Sequence, residues 1–135
     1  MRSEIRLIDT NVLLRFLTGE PADLAEKARA VIAEADRGAL VLEIHPLVIA
    51  ETIFTLESYY KMPKEQVCDR LSAFLRSRGI APCDEDVMFD ALERYRAHNV
   101  HFVDACLAAY GAASTKAIHS FDRDFGLFDD VKWTS

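Results

Sequence analysis

Four acids of this chain stand within or at the end of apolar runs, and that placement limits how the chain can fold. Asp9 closes Ile5-Arg6-Leu7-Ile8, Glu51 interrupts Val48-Ile49-Ala50 and Thr52-Ile53-Phe54, Asp104 follows Phe102-Val103, and Asp122 follows Ser120-Phe121. An ionised carboxylate drawn out of water costs several kcal/mol unless it is paired or bound to a metal. Neither Glu51 nor Asp104 has a Lys or Arg close by that offers an obvious partner. A fold that brings all four acids together makes a metal site.

The hydrophobic pattern alternates between strand and helix signals from end to end, with no linker, repeat or low-complexity segment. Ile5 to Asp9 reads as a short buried strand, and Val12 to Leu17 as an apolar helical stretch stopped at Gly19. From Pro21, residues Leu24, Ala28, Val31, Ile32 and Ala35 recur at helical spacing until Gly38. Leu40 to Ile44 is the next strand. Pro46 opens a helix to about Tyr60, and Met62-Pro63 breaks it before a helix with a Val67, Leu71, Phe74 and Leu75 stripe. Gly79 precedes the extended segment Ile80 to Cys83. Asp84 is placed to N-cap a helix whose Val87, Met88, Ala91, Leu92 and Tyr95 face inward. A helix from Phe102 to Ser114, a strand from Lys116 to His119 and an edge strand at Val131 to Trp133 complete the chain. Strands separated by helices imply crossovers, and hence a three-layer α/β/α sandwich around a mostly parallel central sheet.

In such a sheet, ligands bind beyond the carboxyl ends of the strands. Asp9 ends the first strand and Asp122 follows the Lys116 to His119 strand. Glu51 and Asp104 lie about one turn into helices whose N-termini face the same edge if each helix follows its strand directly. The topology therefore predicts that the four acids converge.

At 135 residues, half of them hydrophobic, the chain is expected to fold as one domain over residues 1–135. Met1-Arg2-Ser3-Glu4-Ile5 lacks the apolar stretch of a signal peptide, and no run approaches the roughly 20 apolar residues of a membrane span. A cytoplasmic protein without a membrane partner is expected. Cys68, Cys83 and Cys106 are odd in number and have no CxxC spacing, so they read as small core residues. A net charge of −6 ordinarily disfavours a nucleic-acid partner. Four of the negative charges, however, belong to the candidate ligands, and bound divalent cations would reverse the local sign.

Each acid also has a plain structural reading. Asp9, with Thr10 and Asn11, suits a loop that caps the following helix, and Asp122 with Asp124 suits a turn before a short helix. Asp104 suits the positive end of a helix dipole. Glu51 suits an exposed helix edge.

Taken in order, the motifs resemble those of the PIN domain, and within it the VapC-like toxins of prokaryotic toxin–antitoxin pairs. Ile8-Asp9-Thr10-Asn11-Val12-Leu13 is similar to the family's first strand ending in Asp-Thr-Asn, and Ile49-Ala50-Glu51 to its helix acid. Asp104-Ala105-Cys106-Leu107-Ala108-Ala109 and Ser120-Phe121-Asp122-Arg123-Asp124-Phe125 are similar to its paired C-terminal motifs. The resemblance spans essentially the whole chain. It implies a metal-dependent endoribonuclease in which Asp9, Glu51, Asp104 and Asp122 hold Mg²⁺ or Mn²⁺, hard cations that prefer oxygen ligands. The implied reaction is hydrolysis of an RNA phosphodiester by water, leaving a 5′-phosphate.

Thr10, Asn11 and Ser120 are short hydrogen-bonding residues suited to supporting the site, and Asp124 is a further acid beside Asp122. His101 and His119 lie near the acids but read more readily as structural or surface histidines. Arg15, Lys61, Arg76, Arg78 and Arg123 are candidate phosphate contacts, and Tyr59, Tyr60 and Trp133 candidate stacking surfaces. The resemblance further implies a cognate VapB-like antitoxin and a homodimer.

Two alternatives belong to other classes. A catalytically inactive PIN-like module that binds RNA or protein usually lacks a member of the acid quartet, and all four are here. An aspartyl-phosphate enzyme of the haloacid-dehalogenase type needs a second Asp where this chain has Asn11, and a receiver-like domain needs an acidic pair where Asp9 stands alone.

Overall fold

Residues that stop helices divide the first part of the chain into its elements. Gly19 adopts the left-handed conformation (φ 75°) and donates its N–H to the Arg15 carbonyl, closing a helix without a Cβ penalty. Pro21, Pro46 and Pro63 stand at or just before helix starts, where a missing N–H costs nothing. In the computed structural model, which describes residues 4–135, the chain falls into two units, Met1–Cys83 and Asp84–Ser135.

The first unit runs β1 (Glu4–Leu7), α1 (Thr10–Thr18), α2 (Ala22–Asp36), β2 (Leu40–Ile44), α3 (Pro46–Ser58), α4 (Lys64–Leu75) and β3 (Ile80–Pro82). Its strands form a parallel sheet in the order β1-β2-β3, with Glu4 opposite Leu40 and Leu42 opposite Ile80. Each step between strands is a helical crossover, as parallel pairing requires. Leu40, Leu42 and Ile44 of the central strand are buried. Helices contribute Leu13, Ile49, Ile53, Leu56, Val67 and Leu71 to the same core. Full burial of each such side chain is worth about 1.5–3 kcal/mol.

Gly79 shows how closely this unit is packed. Its φ is 81°, and a Cβ there would stand 2.3 Å from the Ala35 carbonyl oxygen. The edge strand departs from expectation: Ile5 and Leu7 of β1 are exposed, although their pattern predicts a buried strand. β1 has a sheet neighbour on one flank only in this unit, whereas β2 has one on each.

The second unit runs α5 (Glu85–Ala97), α6 (Phe102–Ala113), β4 (Ile118–His119), a 3-10 helix (Arg123–Leu127) and β5 (Trp133–Thr134). Met88, Ala91, Leu92 and Tyr95 of α5 and Phe102, Ala105, Ala108 and Ala109 of α6 are buried. The small residues of α6 allow close approach of its neighbours. A Cβ on Gly111 would lie 3.1 Å from the Ile118 side chain. β4 and β5 pair in parallel through Ile118–Trp133 and His119–Thr134, so the predicted edge strand begins two residues later than its pattern suggested.

The Arg94 side chain ties this unit together. It donates to both carboxylate oxygens of Asp130 at 2.8 and 2.5 Å and to Asp90 at 3.0 Å, and it lies over the Phe128 ring. These hydrogen bonds to Asp130 hold the Asp130 carboxyl below the usual carboxylate range.

Asp84 occupies the predicted N-cap position of α5 but makes no capping hydrogen bond. Its backbone is left-handed (φ 52°), and its carboxylate accepts instead from the Tyr110 hydroxyl at 2.6 Å. The three cysteines are unbridged, with Cys68 buried and the other two half-buried. Burial, reinforced by the Asp84 charge, pushes the Cys106 thiol up to about 11, so it stays protonated at neutral pH.

Candidate active site

In the first unit, the parallel register of β1 and β2 carries Asp9 and the start of α3 to the same edge of the sheet. Asp9 follows β1 by two residues, and its Oδ1 accepts from the Val12 N–H at 3.1 Å, capping α1. That bond fixes the carboxylate. Among the described residues its Oδ2 takes no hydrogen bond and is open to another partner. His45 caps α3 through a ring nitrogen that accepts from the Leu47 N–H at 3.1 Å, with Pro46 in the first turn.

Glu51, the sixth residue of α3, is exposed. It lines a cleft of about 580 Å³ together with Thr10, Asn11, Arg15, Phe54 and Tyr59. Thr10 is buried and Asn11 exposed. Thr10 and Asn11 line this cleft with Glu51.

In the second unit, Asp104 is the third residue of α6 and half-buried. Burial raises its carboxyl above the usual range and the charge of Asp122 raises it further, opposed by His101, with a lesser raising effect of Asp124. Two neighbouring acids thus act on Asp104. Asp122 precedes the 3-10 helix, and its Oδ1 accepts from the Asp124 N–H at 2.9 Å. The Ser120 hydroxyl accepts from the Asp122 N–H at 3.0 Å, while the Ser120 carbonyl accepts from the Trp133 indole N–H at 2.9 Å. Ser120 consequently orients the backbone of Asp122, and Trp133 serves this turn. A His119 ring nitrogen is hydrogen-bonded to the Thr134 hydroxyl at 3.0 Å, which gives that histidine a structural role.

The capping roles considered for Asp9 and Asp122 are real, and each engages one carboxylate oxygen. Among the described residues, no three His, Cys, Asp or Glu side chains form a ready-made metal cage. Mg²⁺ does not require one, since it takes one or two carboxylates directly and keeps several waters. The donor chemistry fits a hard divalent cation: every candidate ligand is a carboxylate, and a cation would relieve the repulsion that Asp122 and Asp124 exert on Asp104.

Phe54 was not singled out by the sequence reading, although it stands three positions after Glu51 on the same helix and lines the same cleft. The (i, i+3) spacing was the available signal. In the Arg94 network only the Asp90 contact, four residues away, had such a signal, since the Asp130 partner lies 36 residues away.

No curated protein matches the chain. The solved "Crystal structure of VapBC2 from Rickettsia felis bound to a DNA fragment from their promoter" is similar at 17% identity and a TM-score of 0.41, covering 96% of this chain and 97% of that one. At that level the likeness carries no weight for this protein's partners. The model of the PIN domain matches residues 6–132, spanning both units and all four motifs. The chain belongs to the PIN domain family, with the PIN-like α/β fold class that its alternating strands and helices predict.

Proposed function

We propose that this protein is a divalent-metal-dependent endoribonuclease with Asp9, Glu51, Asp104 and Asp122 as its acidic quartet, and that it is the toxin of a toxin–antitoxin pair. The observation that carries the reading is the raised carboxyl of Asp104, half-buried and subject to the charges of Asp122 and Asp124, an arrangement with little structural benefit unless a cation is bound. Bound Mg²⁺ or Mn²⁺ would supply positive charge against the phosphodiester and acidify water beside it. The chain's own contributions are separable. Asp9 and Asp122 are pre-set by their capping bonds, so their free oxygens meet a ligand with little loss of freedom. Ser120 holds the turn that carries Asp122. Asp104, whose carboxyl binds a proton more tightly than an ordinary carboxylate, is suited to take a proton from attacking water. Asp124 supports Asp122 as a neighbouring charge and is a weaker candidate ligand.

The same reading includes a single PIN-like domain over residues 1–135, a VapB-like antitoxin, a homodimer and a cytoplasmic location. No helix among the described residues is long and apolar enough to cross a membrane. A second reading, a PIN-like module that binds RNA or protein without cutting it, draws support from the capping use of Asp9 and Asp122.

Cleavage of end-labelled structured and unstructured RNA with Mn²⁺, Mg²⁺ or EDTA, beside Asp104→Asn, separates the two. The nuclease gives metal-dependent products with 5′-phosphates that the substitution abolishes. RNA bound but left intact by the parent protein under every condition selects the binding module.

A further inference from the structure

We infer that the cleft beside Glu51 is a subsite for one unpaired nucleotide of single-stranded RNA, with Arg15 on its phosphate and Phe54 and Tyr59 against its base. The choice of RNA rests on the nuclease reading; the site itself rests on three features of the first unit. The first is size and placement. The cleft encloses about 580 Å³ and is lined by Thr10, Asn11 and Glu51, so an occupant would lie next to a proposed catalytic acid. Small-ligand clefts typically span about 300–1,000 Å³.

The second is Arg15. It forms no ion pair among the described residues. Its Nη1 donates to the Tyr60 hydroxyl and to the Glu20 carbonyl, each at 3.3 Å, and its Nε is shielded from water without an acceptor. Both distances are long for N–H···O bonds, and a buried donor without a partner is costly. The guanidinium is therefore held in place yet under-satisfied. A phosphate, which accepts from two N–H groups of the fork at once, suits it better than the neutral oxygens it now meets.

The third is the aromatic surface. Phe54 and Tyr59 are 69% and 75% exposed and both line the cleft, so their rings are accessible to an occupant. The Tyr59 ring packs edge-on against Tyr60 with centroids 4.9 Å apart, which sets its plane. Tyr60 in turn receives the Arg15 hydrogen bond. Cation and ring are thus tied together through Tyr60. A positive group beside exposed aromatic faces is the arrangement that holds single-stranded nucleic acid, because every base has a face to stack and every nucleotide has a phosphate.

The test is fluorescence anisotropy with a 5′-fluorescein octauridylate in EDTA, where binding is read without cutting. Arg15→Gln and Tyr59→Ala should each weaken binding about tenfold. Arg15→Gln should also lower the slope of log K against log salt by about 0.7, as expected for one lost phosphate contact on a single strand. Arg15→Lys should keep the slope, and Tyr59→Phe should keep the affinity. Circular dichroism melts matching the parent establish that the variants fold. Unchanged affinity and slope in folded Arg15→Gln overturn the subsite, as does failure of the parent to bind the oligonucleotide. A changed sedimentation coefficient in Phe54→Ala or Tyr59→Ala with RNA affinity intact also overturns it, in favour of a protein contact. Arg15-dependent binding by a parent that never cuts RNA leaves the subsite standing and removes the nuclease reading.

Discussion

The two units use their acids differently. In the first, Asp9 and Glu51 lie at the carboxyl edge of a parallel sheet, and Glu51 shares its cleft with a cation and exposed rings. In the second, burial and then the charges of Asp122 and Asp124 raise the Asp104 carboxyl. On the proposed reading, the first set would hold a chain of alternating charge and flat bases, and the second would gain from a bound cation. A metal-dependent nuclease would need both, from segments separated by tens of residues.

The largest expected effect tests the second unit. Asp104→Asn should lower RNA cleavage at least about a hundredfold, the scale for losing a group that moves a proton in the transition state. An equal loss in Glu51→Gln would leave the division between the units intact; full activity in Glu51→Gln would confine catalysis to the second unit.

Next in size is Arg94→Ala, which removes three hydrogen bonds to carboxylates and a ring contact from the second unit. A loss of about 1–2 kcal/mol is expected by urea unfolding. The pH dependence follows from Asp130. Its folded-state carboxyl is depressed by Arg94, so its stabilisation is present above the ordinary carboxylate range and is lost as pH falls through the depressed value. Asp130→Asn should therefore flatten the acid limb of the stability curve. An unchanged limb would show that Arg94 contributes through packing on Phe128 alone.

Asp104 predicts the opposite sign. Its carboxyl is raised in the folded state, so its ionised form weakens the metal-free protein at neutral pH, and the weakening disappears as pH falls through the raised value. In EDTA at pH 7, Asp104→Asn should melt a few degrees above the parent, with the gap closing in acid. A lower melting temperature in the variant would mean that Asp104 is a stabilising dipole partner of α6, and the contrast between the units would fail.

The smallest effect belongs to the first unit. Thr52 is fully buried on α3 and its hydroxyl has no partner among the described residues. Thr52→Val should be neutral or stabilising by up to about 1 kcal/mol in the same unfolding assay. A clear loss would reveal an acceptor serving that hydroxyl beside Glu51.

Local signals made the element order legible, and they did so best where helices are punctuated. The β2 bounds, the Pro46 start of α3 and the α4 stripe follow from proline, glycine and spacing alone. The exposure of β1 was not legible, because an apolar run looks the same in an edge strand as in a central one. The Asp84 cap failed for a related reason. A good capping residue was there, but a tyrosine 26 positions away takes its carboxylate. For the candidate site, sequence order proposed the four acids and the residues beside them. It anticipated the capping of Asp9 and Asp122 but not the raised carboxyl of Asp104, whose environment depends on burial and on charges brought close by folding.

The most direct test of the central claim is thermal melting with and without saturating Mn²⁺ for the parent, Asp9→Asn and Asp104→Asn. If acids from both units serve one metal-dependent chemistry, Mn²⁺ should raise the parent's melting temperature, and both substitutions should abolish most of that rise. A rise that survives intact in Asp9→Asn, or no rise in the parent, would contradict it.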